Sequence, residues 1–183
     1  MSPRIHVVVL GAGYAGLMAA MRLARKTDAA VAITLINAGD VFHERVRNHQ
    51  LAAGQPIRLH SVPSLLRGTR IGFLRGTVAA LQPSQRQVTV QTGEGVRSVG
   101  YDYLIYALGS SVSTDGAPGA REYAYTLDHA STMSLAARLP GIAKRGGRLL
   151  IVGGGNTGVE VATELAETYP GLGITLVTRR SGR

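Results

Sequence analysis

Apolar residues follow two rhythms along this chain. Ile5–Leu10 is a short run rich in β-branched residues that ends at glycine, which predicts a buried parallel strand. Tyr14–Lys26 is rich in Ala, Leu and Met and holds no Pro. Its apolar side chains recur at Leu17, Met21 and Ala24, a spacing that predicts a helix. Residues 32–36 read as the next strand and complete a βαβ opening. Residues 46–53 predict one or two helical turns stopped by Gly54 and Pro56, and residues 62–66 predict a second short helix.

From residue 71 to residue 108 the period falls to two. Residues 72–81, 87–91 and 96–108 predict three strands, with turns at Pro83-Ser84 and Gly93-Glu94-Gly95. Residues 110–119 are small and polar and form the linker. Residues 126–139 predict a helix that opens near Asp128 and stops at Pro140-Gly141. A strand at 148–152, a helix at 157–168 and a strand at 174–177 repeat the opening pattern. The expected architecture is α/β: a parallel sheet with helices carries an antiparallel β-meander, and a second α/β unit follows the linker. Dividing the chain in the linker gives domains 1–112 and 113–183.

The formal charge is +9, which favours anionic partners such as nucleic acid, acidic lipid or phosphorylated small molecules. The basic residues are scattered in small groups. With no Trp and only two Phe, a stacking platform for single strands is poorly supplied, and no nucleic-acid partner is expected. The absence of Cys excludes structural disulfides, thiolate metal sites and a redox-active cysteine pair. The five His show no metal-ligand spacing, so no metal is expected. The first strand begins too early for a secretory leader, and no apolar run reaches the ~20 residues of a transmembrane segment. A cytoplasmic protein, soluble or peripheral, is the expectation.

Two Gly-rich turns between strand and helix carry the chemistry. The first is Gly11-Ala12-Gly13-Tyr14-Ala15-Gly16, and the second is Gly153-Gly154-Gly155-Asn156-Thr157-Gly158. A pyrophosphate must come close to backbone N–H groups at the positive end of a helix. Gly11 permits the tight turn, Gly13 leaves room for the phosphates, and Gly16 lets the helix pack close to the strand. Gly153, Gly155 and Gly158 repeat that logic. A lone G-x-G-x-x-G is weak evidence, but a strand before it, a helix after it and a second strand at the right distance make it specific. Beyond the glycines, Ala162, Leu165 and Ala166 match Ala20, Leu23 and Ala24.

The residue that ends the second strand faces the ribose of a bound dinucleotide. In the first copy it is Asn37, whose amide pairs with a hydroxyl without a charge; Asp40 stands three positions late. In the second copy it is Thr178, followed by Arg179-Arg180. Arginine there can pair with a 2′-phosphate, which favours NADPH or relaxed specificity. The alternative is that both arginines are solvated surface charges.

With the segment Tyr101-Asp102-Tyr103-Leu104-Ile105-Tyr106-Ala107-Leu108-Gly109-Ser110, the paired turns and the meander make a recognisable sequence. It resembles the FAD- and NAD(P)-dependent pyridine nucleotide oxidoreductases, closest to the type II NADH dehydrogenase-like branch, over essentially the whole chain. The resemblance implies an α/β, Rossmann-like FAD/NAD(P)-binding fold, a parallel sheet with helices plus the antiparallel β-meander, whose second nucleotide-binding unit is truncated. The resemblance implies that the first turn holds FAD, the second holds NAD(P)H, and a hydride passes from nicotinamide to flavin. Residues 102–110 are similar to the family's Asp-Tyr-Leu-(Val/Ile)-x-Ala-Thr-Gly-Ser strand, which would set Ala107 and Gly109 beside the cofactor; Leu108 replaces the usual Thr. Thr77-Val78 falls where the family's meander backbone touches the adenine, and Arg45 falls where its chain passes the flavin. Glu160 matches a Glu near the nicotinamide–flavin junction; the other reading is a solvated acid in the first helical turn. Without a cysteine pair, electrons are expected to leave for an external acceptor such as a quinone. A non-catalytic module that only holds a dinucleotide is the second possibility. The family's C-terminal part, with a Thr-x-Gly-Asp-type motif that reaches FAD, has no match here, so an N-terminal portion of a longer protein is expected.

Overall fold

A computed structural model describes residues 5–179. The chain forms two compact units, one of Met1–Glu44 with Leu59–Ser110 and one of Arg45–Arg58 with Ser111–Arg183.

The first unit opens with β1 (Ile5–Leu10), α1 (Tyr14–Lys26), β2 (Val31–Asn37) and the short β3 (Val41–Phe42). The 3-10 turn Arg45–Arg47 and helix α2 (Asn48–Ala52) then belong to the second unit. Back in the first unit, β4 (His60–Ser61) pairs antiparallel with β3, and the one-turn helix α3 (Val62–Leu65) follows. Next come β5 (Ile71–Arg75), β6 (Thr77–Gln82), β7 (Gln87–Thr92), β8 (Gly95–Gly100) and β9 (Tyr103–Tyr106). They make a four-stranded parallel sheet in the order β5-β2-β1-β9 and an antiparallel meander in the order β6-β7-β8.

Strand alternation sends side chains to two faces. Val9, Ile33 and Leu35 pack with Leu17 and Ala20 of α1 and with Phe42, Val62 and Ile71. Val8, Leu10 and Ile36 pack with Val88 and Val90 of the meander. All three of those sheet residues are fully buried, which explains why β1 is an unbroken apolar run. Arg70 closes the C-terminal end of α1 by donating to the carbonyls of Ala24, Thr27 and Asp28, a favourable place for a cation.

In the second unit, α4 (Ala120–Tyr123) precedes α5 (His129–Lys144), β10 (Arg148–Val152), α6 (Asn156–Thr168) and β11 (Gly173–Val177). β10 and β11 pair in parallel. Ala52 and Ala53 join Leu135, Leu139, Val161, Leu165 and Leu172 in the core. Asp128 caps α5 by accepting the Ser131 amide at 3.0 Å. Hydrogen bonds from Ser131 first, and from the Thr126 hydroxyl second, hold its carboxyl below the ordinary range. Among the described residues, no helix is long and apolar enough to cross a membrane.

Three elements differ from the sequence pattern. Residues 72–81 divide into β5, in the parallel sheet, and β6, in the meander. The division falls at Gly76, where a Cβ would lie 2.5 Å from Val90 Cγ1 and 2.8 Å from the Gln91 carbonyl oxygen. Only a bare backbone passes there. Residues 96–108 likewise divide into β8 and β9. Asp102 starts β9 beside β1: its amide donates to the His6 carbonyl at 2.8 Å, and its carboxylate accepts the His6 amide at 2.7 Å. The third difference is α5, which continues through Pro140 to Lys144. Leu139, Ile142 and Ala143 all pack in the core, and that burial outweighs the backbone hydrogen bond a proline cannot make. Gly146, at φ +63°, ends the helix instead.

Candidate functional site

Two strand–turn–helix junctions have nearly the same geometry. In the first, the Gly11 amide donates to the Ile36 carbonyl at 2.7 Å; in the second, the Gly153 amide donates to the Val177 carbonyl at 2.8 Å. A Cβ on Gly16 would lie 1.8 Å from the Gly11 carbonyl oxygen, and one on Gly158 would lie 1.9 Å from the Gly153 carbonyl oxygen. Both helices therefore begin against the turn that precedes them, and only glycine fits.

Gly13 and Gly155 occupy the N-cap positions, with φ near −75° in both: −74° and −76°. A Cβ at either would meet nothing within 4 Å. Neither helix has a side-chain cap or an acidic residue in its first turn. An open concavity lined by uncapped amides at a positive helix end fits a pyrophosphate. Gly13, Tyr14 and Ala15 are exposed at the first mouth; Gly155, Asn156 and Thr157 are exposed at the second.

Around the first turn, Ala12 is buried and its amide donates to Asn37 Oδ1 at 2.9 Å. Asn37 Nδ2 donates to the Gly39 carbonyl at 2.8 Å. The amide of Asn37 thus braces the turn from the end of β2 and keeps one N–H and one lone pair for a ligand. Tyr14 stacks edge-on against Phe42, with ring centroids 5.0 Å apart, and its hydroxyl donates to Glu44 at 3.1 Å. Ala107 follows β9, and its carbonyl oxygen would lie 2.2 Å from a Cβ on Gly11. Gly109 takes φ +78° two residues later and is exposed.

Thr77 and Val78 open β6. Thr77 lines a cleft of about 540 Å³ with Ala38, Arg75 and Gly76 on one side and Gln91, Thr92, Glu94 and Arg97 on the other. Arg75 pairs with Asp40 at 3.6 Å there, so the late carboxylate is already neutralised. Arg45 lies in the 3-10 turn Arg45–Arg47, which belongs to the second unit.

Around the second turn, Thr178 packs directly on Gly154, where a Cβ would lie 2.6 Å from both Thr178 Cβ and Oγ1. Thr178 and Arg179 are exposed; Arg180 lies outside the described residues. Glu160 is the fifth residue of α6, beyond the first turn. It faces His49 at 3.8 Å. Sequence patterning missed His49, because nothing in a five-residue helix signals which neighbour it meets. Among the described residues, no group of His, Asp and Glu forms a metal site.

A parallel α/β unit with a Gly-rich turn at the carboxyl end of its first strand, followed by a second such turn, defines a protein with two dinucleotide-type folds. The family described as pyridine nucleotide-disulphide oxidoreductase matches residues 5–182, and the chain belongs to it. It is 31% identical over 173 residues to ferroptosis suppressor protein 1 of Taeniopygia guttata, covering 94% of this chain and 43% of that one. It is 29% identical over 184 residues to the type II NADH:quinone oxidoreductase of Staphylococcus haemolyticus, covering 92% and 45%. The solved structure of NDH2 from Plasmodium falciparum in complex with NADH superposes with a TM-score of 0.79 at 21% identity, covering 94% and 41%. The chain therefore spans less than half the length of these relatives. The expected family and the Rossmann-like α/β fold with its meander are borne out.

Proposed function

We propose that this chain carries both dinucleotide sites of a flavin-dependent NAD(P)H oxidoreductase. Residues 11–16, with Asn37, Thr77, Val78, Ala107 and Gly109, serve FAD. Gly153, Gly155, Asn156, Thr157, Gly158, Thr178 and Arg179 serve NAD(P)H. Residues 1–112 form the flavin part and 113–183 the nicotinamide part, with Arg45 a flavin contact. The observation that carries this reading is the duplicated turn: two uncapped helix starts, each with a glycine N-cap open to 4 Å and a third glycine pressed against the first.

When bound, a reduced nicotinamide would supply a hydride and a flavin would accept it. The chain's residues bind and orient. Backbone amides of the two first turns meet the phosphates, Asn37 braces the first turn, and Glu160 presents a carboxylate at the nicotinamide end. The relative named NADH:quinone oxidoreductase supports a quinone as the final acceptor. Exposed Thr178 and Arg179, neither of them a carboxylate, support acceptance of a 2′-phosphate.

The test is spectroscopic. The purified chain is expected to carry a yellow flavin that bleaches when NADPH or NADH is added without oxygen. A chain that stays colourless in excess FAD refutes the flavin assignment. Flavin retained without bleaching favours a module that holds dinucleotides without turnover.

A further inference from the structure

A second cluster of ionisable groups lies beside the Gly-rich turn of the second unit. His49, on α2, sits between two carboxylates one turn apart on α6. Its Nδ1 is 3.8 Å from Glu160 Oε2, and its Nε2 is 3.9 Å from Glu164 Oε2. Gln55 Nε2 donates to the other oxygen of Glu164. The segment that carries His49 is anchored at both ends: Asn48 Nδ2 donates to the Leu127 carbonyl at 2.6 Å, and the Tyr169 hydroxyl donates to the Ala53 carbonyl at 3.0 Å. Ala52 and Ala53 are buried in the core beneath it. The His49 and Glu164 side chains are 20% and 19% exposed, whereas Glu160 is 53% exposed. The inner pair is fixed, and the outer carboxylate is the one presented.

Carboxylates at i and i+4 repel each other. An imidazole stands between them, with one ring nitrogen facing each carboxylate. We propose that His49 is a positioning residue. Backed by Glu164, which Gln55 holds, it positions the Glu160 carboxylate beside the nicotinamide ring, where a negative charge favours the cationic oxidised ring over the neutral reduced one. This rests on the proposed reading of residues 153–158 as the turn for the nicotinamide nucleotide and of Glu160 as the carboxylate at its nicotinamide end. Stabilising the positive charge that forms as the hydride leaves is what such a carboxylate contributes.

The charge-specific part of binding shows in the ratio of two affinities. A general loosening of α2 against α6 weakens oxidised and reduced nucleotide alike and leaves the ratio where it was. The experiment measures Kd for NAD+ and NADH, and for NADP+ and NADPH, by calorimetry on the full 183-residue chain. The variants are Glu160→Gln, His49→Ala, His49→Gln and the double variant His49→Ala with Glu160→Gln, each checked for fold by circular dichroism.

Glu160→Gln and His49→Ala are each expected to shift the ratio towards reduced nucleotide by about 2- to 5-fold, the size that a half-exposed ion pair supports. The double variant is expected to match Glu160→Gln alone, since His49 acts through that carboxylate. If His49→Ala does not fold, His49→Gln, which keeps a hydrogen-bonding side chain, carries the test with a smaller shift in the same direction. Equal weakening of both forms in the His49 variants, or a double variant that adds the two effects, overturns the positioning role while leaving the nucleotide site intact. A wild-type chain that binds neither form overturns the reading of the turn and the proposal with it.

Discussion

Gly11 and Gly13 stand two residues apart, and replacing each with Ala separates the folding role of the first turn from its binding role. Gly11 has φ +96°, and a methyl there would lie 2.2 Å from the Ala107 carbonyl oxygen and 2.7 Å from its carbonyl carbon. Both are backbone atoms, so no rotamer change relieves the clash. β9 must move off β1, loosening the pairs from Val7↔Tyr103 to Leu10↔Tyr106. The positive φ costs Ala about 1–2 kcal/mol, and overpacking costs about 1–3 kcal/mol more. Gly11→Ala is therefore expected to lose about 2–5 kcal/mol of a total of about 5–15 kcal/mol.

Gly13 is different: φ is −74°, and a methyl meets nothing within 4 Å. Ala is a weaker N-cap than Gly by roughly 0.5 kcal/mol, and its stiffer unfolded chain offsets about 0.4–1 kcal/mol. The net change in stability is within about 0.5 kcal/mol. The methyl does fill the room a pyrophosphate needs. Urea unfolding followed by circular dichroism should leave Gly13→Ala at the wild-type midpoint, while flavin absorbance shows affinity reduced about tenfold or more, about 1.4 kcal/mol. Gly11→Ala should unfold at markedly lower urea. The reasoning fails if Gly13→Ala keeps wild-type flavin affinity, or if Gly11→Ala unfolds at the wild-type midpoint.

Thr132 is fully buried on α5, and its hydroxyl has no hydrogen-bond partner among the described residues. Thr132→Val should be neutral or raise stability by up to about 1 kcal/mol, read as Tm; a drop of that size would show a partner the hydroxyl needs. Asp128 has its folded-state pKa held below the unfolded value, chiefly by the Ser131 amide. Its contribution is thus complete above the ordinary carboxylate range and is lost as pH falls through the folded value. Asp128→Ala should cost about 0.5–1 kcal/mol near neutral pH, reduced by solvent screening, and that difference should vanish in acid; a pH-independent difference would rule out the cap. Arg179→Ala should weaken NADPH binding about 3- to 10-fold and leave NADH binding unchanged, measured by calorimetry. Equal effects on both nucleotides would assign Arg179 to the solvated surface.

What the sequence by itself determined is local. The apolar runs at 5–10 and 32–36, the helix between them and the glycines at both junctions follow from strand burial, helical spacing and the sterics of a missing Cβ, all of which act within a few residues. The second copy was legible for the same reason. The meander was legible as a change of period, but not the points at which strands leave it. β5 and β6 form one alternating run until Val90 approaches Gly76 from another strand, and β9 begins only because Asp102 meets His6, 96 positions earlier. Pro140 predicted a helix end, but buried residues beyond it carry the helix on.

The same limit applies at the candidate sites. Asn37 read as a ribose contact; only tertiary structure shows that its amide also accepts from Ala12 and donates to Gly39. Tertiary packing alone set residues 45–58 against α5 and α6 and brought His49 between Glu160 and Glu164. A charged side chain on a short helix carries no periodic signal of its partner, because that partner is chosen by the packing of distant apolar residues such as Ala52 and Leu165.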